Sequence, residues 1–98
     1  MRRRVVITGI GMISPVGLDC SATWQSLLAG RSGVGPITKF DATDFSCRIA
    51  AEVNGFEAEK FIDRKEARKM DTFSHYAIAA TKEAVTDSGV TIDERNAE

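Results

Sequence analysis

Three side chains in this sequence could act as a nucleophile or a general base: Cys20, Cys47 and the single histidine, His75. A reactive thiolate needs a helix N-terminus or a cationic neighbour. Cys20 precedes a predicted helix, but Asp19 beside it opposes thiolate formation, and Cys47 falls on the predicted buried face of a strand. His75 has only Asp71 at helical spacing. The sequence therefore predicts no catalytic residue and no metal site.

A glycine-containing run, GIGMIS at residues 9–14, begins like a dinucleotide-binding loop. Such a loop brings backbone close to a pyrophosphate at a helix N-terminus. Here the third glycine position is Ser14, and Pro15 interrupts the place where the helix should start. Structural glycines in a turn are the favoured interpretation, and no cofactor is predicted, with a nucleotide-binding α/β module kept as an alternative.

The charge of this chain is unevenly distributed. Residues 60–69 contain five basic and two acidic side chains, a local charge of +3, whereas residues 83–98 carry −4. Most such runs are solvated helix faces, but a basic stretch can also dock an acidic partner. Both interpretations of residues 60–69 stay open on charge alone.

The predicted secondary structure shows what must position these side chains. Strands are expected at residues 5–11 and 47–53, and helices at residues 22–29, 63–69 and 72–88. Residues 5–11 are a short apolar run rich in β-branched side chains, typical of a strand buried on both faces. Residues 47–53 alternate, which favours a half-exposed strand. Residues 31–46 contain glycines and a proline and are expected to be mostly loop.

The predicted helices have recognisable ends and apolar faces. Ser21 is the expected N-cap of the first helix, whose apolar stripe consists of Trp24, Leu27 and Leu28. Asp63 and Glu66 have the form of a capping box, and Gly89 is the expected C-cap of the long helix. The apolar face of that helix is expected to contain Phe73, Tyr76, Ala77, Ala80, Ala84 and Val85.

The order strand, helix, strand, helix, helix predicts an α/β fold with an at least partly parallel sheet. The net charge of −1 argues against a nucleic-acid-binding field. No apolar run is long enough for a membrane span or a signal peptide, which predicts a cytoplasmic protein. Two strands do not make a stable sheet, so the 98 residues are expected to be one incomplete domain, residues 1–98, of something larger.

The sequence as a whole resembles the opening of the β-ketoacyl-acyl-carrier-protein synthases, close to the synthase II type. The resemblance is carried by RRVVITGIGMISPVG at residues 3–17, TWQSLLAG at residues 23–30 and RKEARKMD at residues 64–71. It runs without a gap to about residue 93. It implies the N-terminal half of a thiolase-like fold, in which two similar α/β halves stack as helix, sheet, helix, sheet, helix.

The resemblance also implies an activity. These homodimeric enzymes take an acyl group from acyl carrier protein onto a cysteine, then condense it with decarboxylated malonyl carrier protein, in fatty acid or polyketide biosynthesis. The family's nucleophilic cysteine and two histidines lie later than the stretch covered here, and Cys20, Cys47 and His75 match none of them. The 98-residue chain alone is therefore expected to be inactive.

One functional surface is carried over by the resemblance. In this family the basic segment before the long helix helps to dock the acidic carrier protein, and the matching positions are Lys65, Arg68 and Lys69. Scattered rim charges of this kind steer association and are sensitive to salt. An N-terminal part of a non-catalytic synthase partner subunit would look much the same, and it remains an alternative.

Overall fold

The computed structural model describes residues 2–97. Its elements are the helices α1 (Cys20–Leu28), α2 (Arg64–Ala67) and α3 (Thr72–Ser88), the strands β1 (Val34–Pro36) and β2 (Ile49–Ala51), and a short 3-10 helix at Ala58–Lys60. The chain forms two compact units. One contains Ile13–Glu57, and the other combines the residues up to Met12 with those from Ala58 onward. The expectation of one domain over residues 1–98 stays a prediction.

Helix α3 has the predicted bounds, Thr72–Ser88. It ends at Gly89, which adopts the left-handed conformation with φ of 69° and donates its N–H to the carbonyl of Thr86. A glycine reaches this conformation without the steric cost that a Cβ imposes, so the predicted C-cap is confirmed.

The packed face of α3 differs in part from the predicted one. Ala79 is its buried residue, and Ala80 and Ala84 are half-buried. Phe73 and Val85 were expected on the apolar face, but they are 72% and 44% exposed. The small alanines face the N-terminal segment of the same unit, which approaches too closely for larger side chains.

Two glycines explain this close approach. An ideal Cβ on Gly11 would lie 1.7 Å from the carbonyl oxygen of Ala80 and 2.8 Å from the nitrogen of Ala84. A Cβ on Gly9 would lie 2.3 Å from the oxygen of Ala84 and 2.7 Å from the nitrogen of Ser88. Each pair of atoms is one i to i+4 step of α3. Gly9 and Gly11 therefore lie over consecutive turns of the helix backbone.

The predicted strand at residues 5–11 is not formed. Within residues 2–97 this segment has no strand partner, and Val5 is 93% exposed. Instead, the backbone N–H groups of Ile10 and Met12 donate to the carboxylates of Asp87 and Glu83, at 3.1 and 2.9 Å. In a β-ladder these N–H groups would donate to the carbonyls of a neighbouring strand. Here the carboxylates of Glu83 and Asp87, one helical turn apart on α3, accept the N–H groups instead.

Helix α1 starts two residues earlier than predicted. Its N-cap is Asp19 rather than Ser21, because the Asp19 carboxylate accepts from the N–H of Ala22 at 2.7 Å. The buried side of α1 is polar and contains Thr23 and Ser26. The predicted apolar stripe is the exposed side, and Trp24 is 60% exposed.

Hydrogen bonds make this polar packing possible. The Ser26 hydroxyl donates to the carbonyl of Val16 at 2.7 Å. The Thr23 hydroxyl donates to the carbonyl of Gly17 at 3.3 Å and lies 2.9 Å from the hydroxyl of Ser14. Buried hydroxyls are tolerated when they are hydrogen-bonded, so α1 is fixed to the preceding turn by its polar side.

The strands β1 and β2 form an antiparallel pair, with Gly35 opposite Ala50. This pair was not among the expected ones, because β1 lies in a stretch predicted to be mostly loop. Gly and Pro are rare inside strands, so the sequence of β1 does not predict a strand. The second strand is shorter than predicted, and the face expected to be buried is exposed. Cys47 precedes β2, and Ile49 and Ala51 within it are exposed, whereas Ala50 between them is half-buried.

Candidate functional site

The basic segment of residues 60–69 begins at the last residue of the 3-10 helix, contains α2 and ends before α3. Asp63 occupies the N-cap position of α2, as predicted, but its side chain makes no capping hydrogen bond. The expected capping box is therefore wrong. Glu66, its intended partner, is paired with Lys69 at 3.2 Å instead. Helix α2 is a single turn, and the salt bridge follows from the i, i+3 spacing on its surface.

The three predicted docking residues, Lys65, Arg68 and Lys69, are all exposed. They follow the spacing i, i+3, i+4, and Arg68 retains helical dihedrals of −67° and −20° at the C-cap. This spacing places the three cations on one side of the turn. Their role in docking stays a prediction.

Two of these three cations are available for a partner. Among the residues that the structure describes, no salt bridge reaches Lys65 or Arg68. Lys69 is shared with Glu66 on the open surface, where such pairs contribute only about 0–1 kcal/mol. The neighbouring Arg64 lies 3.6 Å from Glu59. Of the three predicted docking residues, Lys65 and Arg68 therefore have no carboxylate partner among the described residues, and the pairing of Lys69 is weak.

Two side chains of α3 contact backbone carbonyls of this segment on either side of α2's first residues, at Phe61 and Ala67. The ring Nε2 of His75 lies 2.8 Å from the carbonyl oxygen of Ala67. The ammonium group of Lys82 donates to the carbonyl of Phe61. Neither contact is predicted from the sequence, which suggests for His75 only a local pair with Asp71. The available signal was the seven-residue spacing of His75 and Lys82, which places two long polar side chains on one helix face.

The other candidate residues are not arranged for chemistry. Cys47 is exposed, and its thiol lies 3.5 Å from the carbonyl of Ile49. Cys20 begins α1 directly after the carboxylate of Asp19, which does not favour a thiolate. Across residues 2–97, no group of three or more His, Cys, Asp or Glu side chains is placed to hold a metal ion.

The glycine run at residues 9–14 does not form a phosphate-binding loop. Gly9 and Gly11 lie against the backbone of α3, which occupies the space that a pyrophosphate would need. The following helix, α1, begins only at Cys20, so no helix N-terminus follows the run directly. For the described part of the chain, no helix has both the length and the apolar character to cross a bilayer.

Comparison with known proteins decides the family. The family profile described as beta-ketoacyl synthase, N-terminal domain, matches residues 2–98. The chain belongs to the beta-ketoacyl synthase family. It is similar to proteins named 3-oxoacyl-[acyl-carrier-protein] synthase 2: 48% identical over 99% of the chain for the Synechocystis relative, and 51% over 98% for that of Vibrio cholerae. The chain spans 23% of the length of each of these relatives.

A solved structure supports the same conclusion for the fold. The ishigamide ketosynthase/chain length factor superposes with a TM-score of 0.83 at 43% identity, over 93% of this chain and 23% of that chain. The predicted α/β class and thiolase-like fold are confirmed, and so is the resemblance to the synthase II type. The nucleotide-binding alternative is not favoured by these similarities or by the packing of the glycines.

Proposed function

We propose that this beta-ketoacyl synthase domain belongs to an acyltransferase that condenses an acyl thioester with malonyl-acyl carrier protein. The observation that carries the proposal is the shared name of relatives that are 46–51% identical over nearly the whole chain. In the reaction, an acyl group passes from its carrier thiol to a cysteine thiolate. The malonyl thioester then loses carbon dioxide, and the resulting carbanion attacks the acyl carbonyl and expels the cysteine thiolate.

The condensing activity is tested on the protein that carries this sequence, purified from its own source. Incubation with acyl and malonyl carrier protein is expected to yield carbon dioxide and the 3-oxoacyl thioester. A non-catalytic partner subunit would give neither product unless a second chain were added. That outcome would overturn the assignment in favour of the partner-subunit hypothesis.

We propose that this part of the enzyme docks the carrier protein through Lys65, Arg68 and Lys69. Their exposure, their position on one side of a turn and the +3 charge of the segment support this assignment. Complementary charge accelerates encounter and fixes orientation, while exposed pairs add little affinity individually. An acidic carrier protein is the kind of partner that such a surface selects.

Docking can be tested in a hybrid enzyme, in which this sequence replaces the matching residues of the Vibrio cholerae relative. Reversal of Lys65, Arg68 and Lys69 to Glu is expected to raise the Kd for malonyl-acyl carrier protein by about 100-fold at low salt, from about 1 kcal/mol per contact. The effect should shrink at high salt because exposed charges are screened.

The matched control is Arg95→Glu, which reverses an exposed charge paired with Asp93 outside the basic segment. It is expected to leave the Kd unchanged. Condensation of malonyl-pantetheine, which lacks the carrier protein, should be equal in all variants. If the triple reversal leaves the low-salt Kd unchanged, the docking assignment is wrong, whereas the condensing activity is unaffected by that result.

We further infer that the enzyme works in the cytosol as a homodimer. Support comes from the family resemblance and from a sequence without an apolar run of membrane-spanning length. Light scattering of the purified protein is expected to give twice the mass of one chain. A monomeric mass for the active enzyme would contradict the dimer.

A further inference from the structure

We infer that His75 and Lys82 are positioning residues that hold the basic segment in the geometry needed for carrier-protein docking. The inference rests on the proposed docking function of Lys65, Arg68 and Lys69, and it adds the two residues through which α3 controls that surface. Neither residue is required to touch the carrier protein itself.

The two contacts bracket α2. Lys82 donates to the carbonyl of Phe61, before the helix, and His75 contacts the carbonyl of Ala67, its last residue. The seven-residue separation of His75 and Lys82 spans two turns of α3, so both side chains leave the same face. The segment between Phe61 and Ala67 is thereby fixed at both ends to a 17-residue helix.

Helix α2 needs such support because it is only four residues long. A single helical turn is marginal by itself, since nucleation fixes several residues for one hydrogen bond. Its last carbonyls also have no partner within the helix. The carbonyl of Ala67, between Lys65 and Arg68 in the sequence, accepts the N–H of Met70 in the following turn at 3.3 Å, and the His75 ring adds a second, shorter hydrogen bond to it.

The chemistry of the two contacts defines what each side chain must do. A carbonyl oxygen only accepts, so Nε2 of His75 carries the hydrogen and donates. The charge of Lys82 is directed at the backbone of Phe61, and this distinguishes it from Lys65 and Arg68, whose charges face outward. A substitution that removes the donor at His75 or Lys82 is therefore expected to alter the geometry of the docking surface without removing any of its three positive charges.

The test uses the hybrid enzyme with His75→Leu and Lys82→Met, which remove the donors and keep most of the apolar volume. Each is expected to raise the KM for malonyl-acyl carrier protein about tenfold, the equivalent of one hydrogen bond, with kcat unchanged. The KM for malonyl-pantetheine should not change. His75→Gln and Lys82→Arg, which keep an N–H donor, are expected to restore the carrier KM.

Thr81→Val is the matched control, because the Thr81 hydroxyl donates to Ala77 within α3 and to nothing in the basic segment. It should leave both KM values unchanged. Hydrogen exchange at the amides of Arg68 and Lys69 is expected to accelerate in the donor-free variants alone. If one of these variants fails to fold, the other still tests the inference, since each removes a different tether.

The failures of the two proposals are distinguishable. If charge reversal at Lys65, Arg68 and Lys69 weakens carrier binding but His75→Leu and Lys82→Met leave the carrier KM unchanged, docking stands and the positioning role is wrong. If charge reversal has no effect, the docking function itself fails. An equal rise in KM for the carrier protein and for malonyl-pantetheine would show general damage, and it would also overturn the positioning role.

Discussion

Replacing Gly11 with alanine should be the most disruptive glycine substitution in this chain. The new Cβ would lie 1.7 Å from the carbonyl oxygen of Ala80, well inside the 3.0 Å limit below which real Cβ contacts essentially do not occur. The obstacle is helix backbone, and in α3 the N–H of Ala84 bonds to that carbonyl. The N-terminal segment must therefore move away, and the hydrogen bond from Met12 to Glu83 breaks with it.

The size of the effect follows from the overlap. Inserting one methylene into a packed interior typically costs 1–3 kcal/mol, and backbone overlap belongs at the upper end, so we expect a loss of about 3 kcal/mol. This corresponds to about a 100-fold fall in the folding equilibrium constant. Gly9→Ala should cost less, about 2 kcal/mol, because its shortest approach is 2.3 Å rather than 1.7 Å.

Gly35 is the matched control. A Cβ there would meet no heavy atom within 4 Å, and its φ is not positive. Its replacement by alanine should change the free energy of unfolding by less than about 1 kcal/mol. The assay is urea unfolding of the hybrid enzyme, with the midpoint and the slope compared across the series. Unfolding of Gly11→Ala at the same urea concentration as Gly35→Ala would contradict the prediction, and so would a larger loss of stability in Gly9→Ala than in Gly11→Ala.

Two further changes test the other unit of the chain. Asp19→Ala removes the carboxylate that caps α1 at the N–H of Ala22, and it should lower the free energy of unfolding by about 1 kcal/mol in the same urea assay; Asp19→Ser should recover most of the loss. Hydrogen bonds from Thr38, first from its backbone N–H, hold the pKa of Glu52 below its ordinary value of 4.5 despite partial desolvation. The stabilisation from ionised Glu52 is therefore present above pH 4.5 and is lost as pH falls through the lowered folded-state pKa. The difference in melting temperature between the hybrid enzyme and its Glu52→Gln variant should shrink over that range, and a difference that does not vary with pH would contradict this assignment.

The helices could be predicted from the sequence because their signals are local. The long helix was found with its bounds, since alanine-rich composition and a terminal glycine act within a few residues of Gly89. The exposed cations Lys65, Arg68 and Lys69 were singled out through collinear resemblance and charge, and their docking role stays a prediction. The capping residue of α1 was missed by two positions, because Asp19 and Ser21 are both good caps and only the backbone geometry chooses between them.

The strands show the opposite case, because a strand exists only through its partner. Residues 5–11 have the composition of a buried strand, yet the described residues offer them α3 instead of a neighbouring strand. The strand β1 has the composition of a loop, yet it pairs with β2. Hydrophobic periodicity and residue propensity indicate whether a segment can form a strand. They do not indicate whether a neighbouring strand is present to pair with it.

By itself, the sequence determined the family, the helical segments and the identity of the exposed cations, because all three depend on residue types and on spacing along the chain. The tertiary structure decided which of those features act together. It placed the backbone of α3 against Gly9 and Gly11, and it directed His75 and Lys82 to the carbonyls of Ala67 and Phe61 in the basic segment. The physical reason is that a hydrogen bond or a steric limit between residues distant in sequence depends on their separation in space, which no local pattern encodes.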